Sequence, residues 1–68
     1  MNYRKEGSDI IIEHEGKTFY VHTNGIKRKK LLKVAKVMKK YKDSPEILTQ
    51  ALQEAGISVS VKEDGHGG

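Results

Sequence analysis

The chain has no cysteine and no tryptophan, one proline and one phenylalanine. Without cysteine there is no disulfide framework, no thiolate zinc site and no cysteine nucleophile. Nowhere do about 18 apolar residues follow one another, so no membrane span is expected. The opening Met1-Asn2-Tyr3-Arg4-Lys5-Glu6 also lacks the apolar run of a secretory signal. The expectation is a cytoplasmic protein with no membrane association. Its aromatic residues, Tyr3, Phe19, Tyr20 and Tyr41, are too few to make the stacking platform that single-strand binders use.

What is present is 68 residues, enough for one core and no second domain. Charged residues make up 32% and hydrophobic ones 35%, close to the composition of disordered chains. The apolar residues are patterned, however, and pattern indicates folding. Acidic residues are missing from one stretch in particular. Residues 27–42 hold nine of the 13 basic residues (Lys27, Arg28, Lys29, Lys30, Lys33, Lys36, Lys39, Lys40 and Lys42) and no Asp or Glu. The rest of the chain carries four basic and nine acidic residues, so the molecule is dipolar rather than uniformly basic.

Asp9–His14 and Lys17–His22 are rich in β-branched and aromatic residues, with Glu15-Gly16 between them as a two-residue turn. Pairing across that turn sets Ile12 opposite Phe19 and Ile10 opposite Val21 on one face. Ile11 beside Tyr20, Glu13 beside Thr18 and Asp9 beside His22 fall on the other. After Asn24-Gly25 the period changes. From Ile26 to Tyr41 the residues Leu31, Val34, Ala35, Met38 and Tyr41 make one apolar helical stripe, and Lys29, Lys33, Lys36 and Lys40 fall opposite, bordered by Arg28, Lys30 and Lys39. Ser44-Pro45-Glu46 starts a second helix, with Ser44 as N-cap. Its stripe is Ile47, Leu48, Ala51, Leu52 and Ala55, with Thr49, Gln50 and Gln53 outward, and Gly56 suits its left-handed end. Ile57-Ser58-Val59-Ser60-Val61 alternates as a strand, with Ile57, Val59 and Val61 inward.

The expected fold is α+β: a small single domain, β-β-α-α-β, with a three-stranded, mainly antiparallel sheet and two helices on one face. Residues 9–61 make up the domain, and 62–68 are expected to be a flexible tail. Residues 1–8 form an N-terminal segment in which Tyr3 and Lys5 can add a short strand, with Gly7-Ser8 as its turn. The expected interior is Ile10, Ile12, Phe19, Val21, Leu31, Val34, Met38, Leu48, Leu52, Ile57 and Val59. Strand order cannot be read from the chain.

For function, the lysine face comes first. Lysine is a good helix former and keeps surfaces soluble, which would explain an exposed lysine or two. A helix with no acidic residue must also tolerate like-charge repulsion between its turns. Asp43, Glu46 and Glu54 can offset this from within, or a phosphate backbone from outside. The favoured partner is therefore the phosphate backbone of DNA or RNA, met by Lys29, Lys33, Lys36, Lys40, Arg28, Lys30 and Lys39. In a helix-turn-helix the second helix normally enters the groove, yet here the charge is on the first. With Arg28 as the only arginine of the stripe, low sequence specificity is expected.

The alternative is a protein-interaction or regulatory module, with a protein partner or a second copy as homodimer, using the outer sheet face around Ile11, Tyr20 and His22 or a strand edge. A third reading rests on Gly67-Gly68, since the tail after Val61 resembles the di-glycine end of ubiquitin-like modifiers and sulfur carriers. His14 and His22 point to opposite faces and His66 lies in the tail, so no metal site is expected. No nucleophile, base and orienting acid share a predictable face, so neither enzymatic activity, cofactor nor small-molecule substrate is expected.

Overall fold

The computed structural model describes residues 2–63; Met1 and residues 64–68, Gly67-Gly68 included, lie outside the described residues. Six elements follow one another: β1 (Asn2–Glu6), β2 (Asp9–His14), β3 (Lys17–His22), α1 (Arg28–Lys40), α2 (Pro45–Glu54) and β4 (Ser58–Glu63). The α+β class is as expected, but the sheet has four strands instead of three. Their order is β1-β2-β3-β4, with every neighbouring pair antiparallel.

Two tight turns build the first three strands. Glu15 and Gly16 both have positive φ (51° and 76°), the backbone that a twisted two-residue hairpin requires. The register is the one the sequence implies: His14 faces Lys17, Ile12 faces Phe19 and Ile10 faces Val21. The additional strand turns through Gly7, φ 58°, and pairs Glu6 with Asp9, Lys5 with Ile10 and Tyr3 with Ile12. At the far end, β4 begins one residue later than Ile57. It runs on through Lys62 and Glu63, which pair with Thr18 and Lys17, so these two residues belong to the sheet and not to a tail.

Both helices close over one face of this sheet. Ile12, Phe19 and Val21 from the strands meet Val34, Leu48, Leu52 and Ile57 in one buried cluster, with Ile10, Met38, Tyr41 and Val59 packed around it. Burying one such aliphatic side chain contributes about 1.5–3 kcal/mol. The helices are rotated from the expected setting. In α1 only Val34 is fully buried; Leu31, expected inside, is 45% exposed, and Ala35 is exposed as well. The backbone of α1 approaches α2 more closely than it approaches any strand. The side of α1 turned away from α2, where Leu31 and Ala35 lie, consequently stays open.

In α2 the buried residues are Pro45, Leu48, Thr49 and Leu52, while Ile47 faces solvent, reversing the expectation for Thr49 and Ile47. Thr49 tolerates burial because its hydroxyl donates to the Glu46 carbonyl at 3.1 Å, satisfying it within the helix. Val61 faces the same side as Phe19 but is 52% exposed, since β4 is an edge strand with no further strand beside it.

The ends of α2 are well defined. Ser44 occupies the N-cap position without a side-chain cap bond; its carbonyl accepts from Leu48 N–H at 2.8 Å, and Pro45 fixes the first turn. At the other end Gly56 takes φ 89°, its N–H donates to Gln53 and the Ile57 N–H donates to Leu52. That pair of bonds is a Schellman cap, and it carries Ile57 into the core beside Leu52.

Candidate nucleic-acid interface

Because α1 packs mainly along α2, a wide sector of its surface faces water. At ~100° per residue, the cationic part of that sector runs from Arg28 and Lys39, through Leu32 and Lys36, to Lys29, Lys40 and Lys33, and the exposed Leu31 and Ala35 continue it beyond Arg28. Lys29, Lys33, Lys36 and Lys40 converge as expected. With Leu32 and Val37 they line a shallow groove of about 400 Å³. Lys33, Val37 and Lys40 continue into a second groove of about 370 Å³, whose far wall is Tyr41, Ala51, Glu54 and Ala55. Arg28 and Lys39 are exposed at the opposite border.

Lys30 is the exception among the expected contacts. Its ammonium reaches toward α2 and lies 2.8 Å from the point where a Cβ would stand on Gly56. A cation there sits beside the negative end of the α2 dipole, away from the arc of Lys29, Lys33, Lys36 and Lys40. Leu32 was the residue that sequence reasoning passed over. It is 60% exposed within the cationic arc, between Lys39 and Lys36, and a helical projection alone would have shown it there.

Among the described residues, no α1 cation lies within ion-pair distance of a carboxylate. Glu46, one of the three acids able to offset them, meets Lys17 at 3.4 Å. Asp43 lies near Tyr3 and, after burial of the ring, helps push the phenol above its ordinary value. Glu54 lines the second groove outside ion-pair reach. Lys40 has a neighbour in the Tyr41 ring, 5.4 Å from its centroid, a contact worth about 0.5–1 kcal/mol at an exposed site. Lys29 with Lys33, and Lys36 with Lys40, are like-charged pairs four residues apart, each costing about 0.2–0.5 kcal/mol.

The opposite side of the molecule, the outer sheet face, is less open than its sequence suggests. Ile11, expected as a contact residue, is only 3% exposed. Its cross-strand neighbours are Arg4 and Tyr20, and the Arg4 guanidinium bridges Glu6 and Glu13, both at 2.9 Å, to either side of it. Tyr20 and His22 are half-buried.

His22 lies in a chain of groups that the sequence did not reveal. Its Nδ1–H donates to Asp9 Oδ1 at 3.1 Å, and its Nε2 meets the Ser60 hydroxyl at 2.9 Å. Finding it requires knowing that β4 lies beside β3. Acid, imidazole and hydroxyl stand in the order used for nucleophilic catalysis. The His22 and Asp9 side chains are each 38% exposed on an open sheet face, where water competes for both. We read the arrangement as a polar clasp across β2, β3 and β4.

Comparison with protein-family models, curated proteins and solved structures found no match. No helix among the described residues is long and apolar enough to cross a membrane, and no three potential metal ligands cluster there. His14 sits 3.6 Å from Glu15, and the register keeps it on the sheet face opposite His22.

Proposed function

We propose that this domain binds nucleic acid through the open side of α1, with the phosphate backbone as the main point of contact. The observation that carries the reading is the set of exposed cations along α1 that make no ion pair among the described residues: Arg28, Lys29, Lys33, Lys36, Lys39 and Lys40. A phosphate backbone would relieve their mutual repulsion and release its own counterions on binding. Val34, Met38 and Tyr41 hold the helix in place from the other side.

Affinity is then governed by salt. If about four phosphates are neutralised, log K falls against log salt with a slope near −3 to −4 for duplex and less steeply for single strands. Reversing Lys33 and Lys36 to Glu should abolish binding and leave the domain folded with no loss of melting temperature, since both side chains are exposed and glutamate forms helices well. Fluorescence anisotropy against random DNA and RNA at about 50 mM salt, where electrostatic attraction is strong, is the direct measurement. No binding there, or undiminished binding by the double reversal, would reject the reading.

A protein-interaction role has its own support in the edge strands. Val61 stands half-exposed on β4, where an extended segment of another chain could pair. Such a contact would use the far side of the sheet edge and leave the lysines of α1 uninvolved, so the same double reversal separates the two readings.

A further inference from the structure

We infer that α1 enters the major groove of B-form DNA with Leu32 at the groove floor. This rests on the nucleic-acid reading above and specifies its substrate. The relevant feature is that the cations stand on both sides of an exposed apolar residue. Arg28 and Lys39 border Leu32 on one side, and Lys29, Lys33 and Lys40 lie beyond Lys36 on the other, an arc of about 140° at ~100° per residue. A helix lying along a single phosphate row would use one border and leave the other in solvent.

A trough with phosphates on both walls matches both borders at once. The B-form major groove is about 12 Å wide and about 8.5 Å deep, and it admits an α-helix. The 13 residues of α1 extend for about 20 Å at the helical rise, enough to follow the groove with Arg28 and Lys39 toward one wall and Lys29, Lys33 and Lys40 toward the other. The groove floor also accounts for Leu32. Thymine methyl groups project there, and an exposed leucine meets them without leaving a polar group unpaired.

Lys36, between Leu32 and the far border, is placed to donate to guanine O6 or N7. Lys33 and Lys40 remain on the side of α2, where the second groove begins. An A-form RNA duplex offers no equivalent, because its major groove is deep and too narrow for side chains to read. The structure therefore favours duplex DNA over duplex RNA, although both carry the same backbone charge.

The test uses the full chain against duplex DNA, duplex RNA, single-stranded DNA and polyglutamate of matched length and label, at one salt concentration. Duplex DNA is expected to bind about tenfold more tightly than duplex RNA, a difference that backbone charge alone does not supply. In dimethyl sulfate probing, guanine N7 groups of the bound duplex should be protected. Leu32→Ala should weaken duplex DNA binding several-fold, leave duplex RNA binding unchanged and melt with the parent.

Equal affinity for the two duplexes with unprotected N7 would overturn the groove placement while leaving phosphate binding intact. A preference for single strands, or polyglutamate bound as tightly as duplex DNA, would overturn it as well. Loss of measurable binding to every nucleic acid would remove both this inference and the reading on which it rests.

Discussion

The two helices are neighbours in sequence and in space, yet they do opposite things with similar amphipathic patterns. α2 commits Pro45, Leu48, Thr49 and Leu52 to the interior and is closed by a hydrogen-bonded glycine cap. α1 is longer, commits only Val34 fully, begins at Lys27 without a side-chain cap, and leaves Leu31 and Leu32 in solvent. Propensity does not separate them. The difference is in what each helix leaves outside: α2 organises the fold, and α1 displays a surface.

The contrast is most easily broken at a pair of leucines. Leu52→Ala should cost about 2–5 kcal/mol, because a fully buried side chain leaves a cavity between α2 and the sheet. That is a large share of the stability available to so small a domain. Leu32→Ala should change stability by no more than about 0.5 kcal/mol, as expected for a surface position. Thermal or urea unfolding of both variants checks the pair, and similar losses would mean that α1 is as structural as α2.

A second variant tests the closed end of α2. Gly56→Ala places a side chain at φ 89° and pushes it against the Lys30 ammonium. The ammonium can swing aside, so the backbone conformation sets most of the cost, about 1–2 kcal/mol. Chemical denaturation would measure it. A neutral result would show that the glycine cap is not what ends this helix.

A smaller effect than that at Gly56 lies at the loop joining the two helices. The Tyr3 hydroxyl donates to the Lys42 carbonyl at 2.8 Å, tying β1 to the turn between α1 and α2. Tyr3→Phe should cost about 0.5–1.5 kcal/mol. Burial, and secondarily Asp43, hold the phenol above its ordinary value, so the folded state favours the neutral ring. The contribution is complete below the unfolded-state value and is lost as pH rises through the higher folded-state value. Urea titrations from neutral pH to beyond 10 should show the two proteins converging only at the alkaline end.

Local chemistry made much of this legible in advance. The β2–β3 register follows from a two-residue turn and the parity of side chains, and both hold in the structure. Pro45 and Gly56 mark the bounds of α2 by fixed or left-handed φ, which are properties of single residues. β1 was left open in the sequence, although Gly7-Ser8 between alternating segments is itself a hairpin signal.

What was misread depends on neighbours. A helical stripe is broad, and residues at its margins, such as Thr49 and Ile47, are turned in or out by whichever element lies beside them, while Leu31, near the centre of its stripe, is left open because α1 lies closer to α2 than to any strand. Ile11 was placed on an exposed face because periodicity shows which side a residue takes, without showing that Arg4 would lie next to it. At the candidate interface the four converging lysines were readable from spacing. The departure of Lys30 toward Gly56 depended on the relative placement of two helices, and Ser60 could join His22 only once strand order was known.

The pairing of β3 with β4 has a kinetic meaning as well. Consecutive strands β1 to β3 are joined by two-residue turns, so they can zip together through local contacts soon after they are made. β4 reaches β3 only across residues 23–57, which contain both helices, and joins Lys17 to Glu63. Contacts so distant in sequence require loop closure before they return any stabilisation, and they slow folding. During synthesis the β3 edge, with Phe19 and Val21 in it, waits unpaired until residues 58–63 emerge. Helices that assemble first over the sheet would shield that edge from other chains and bring Ile57 to the place where β4 begins.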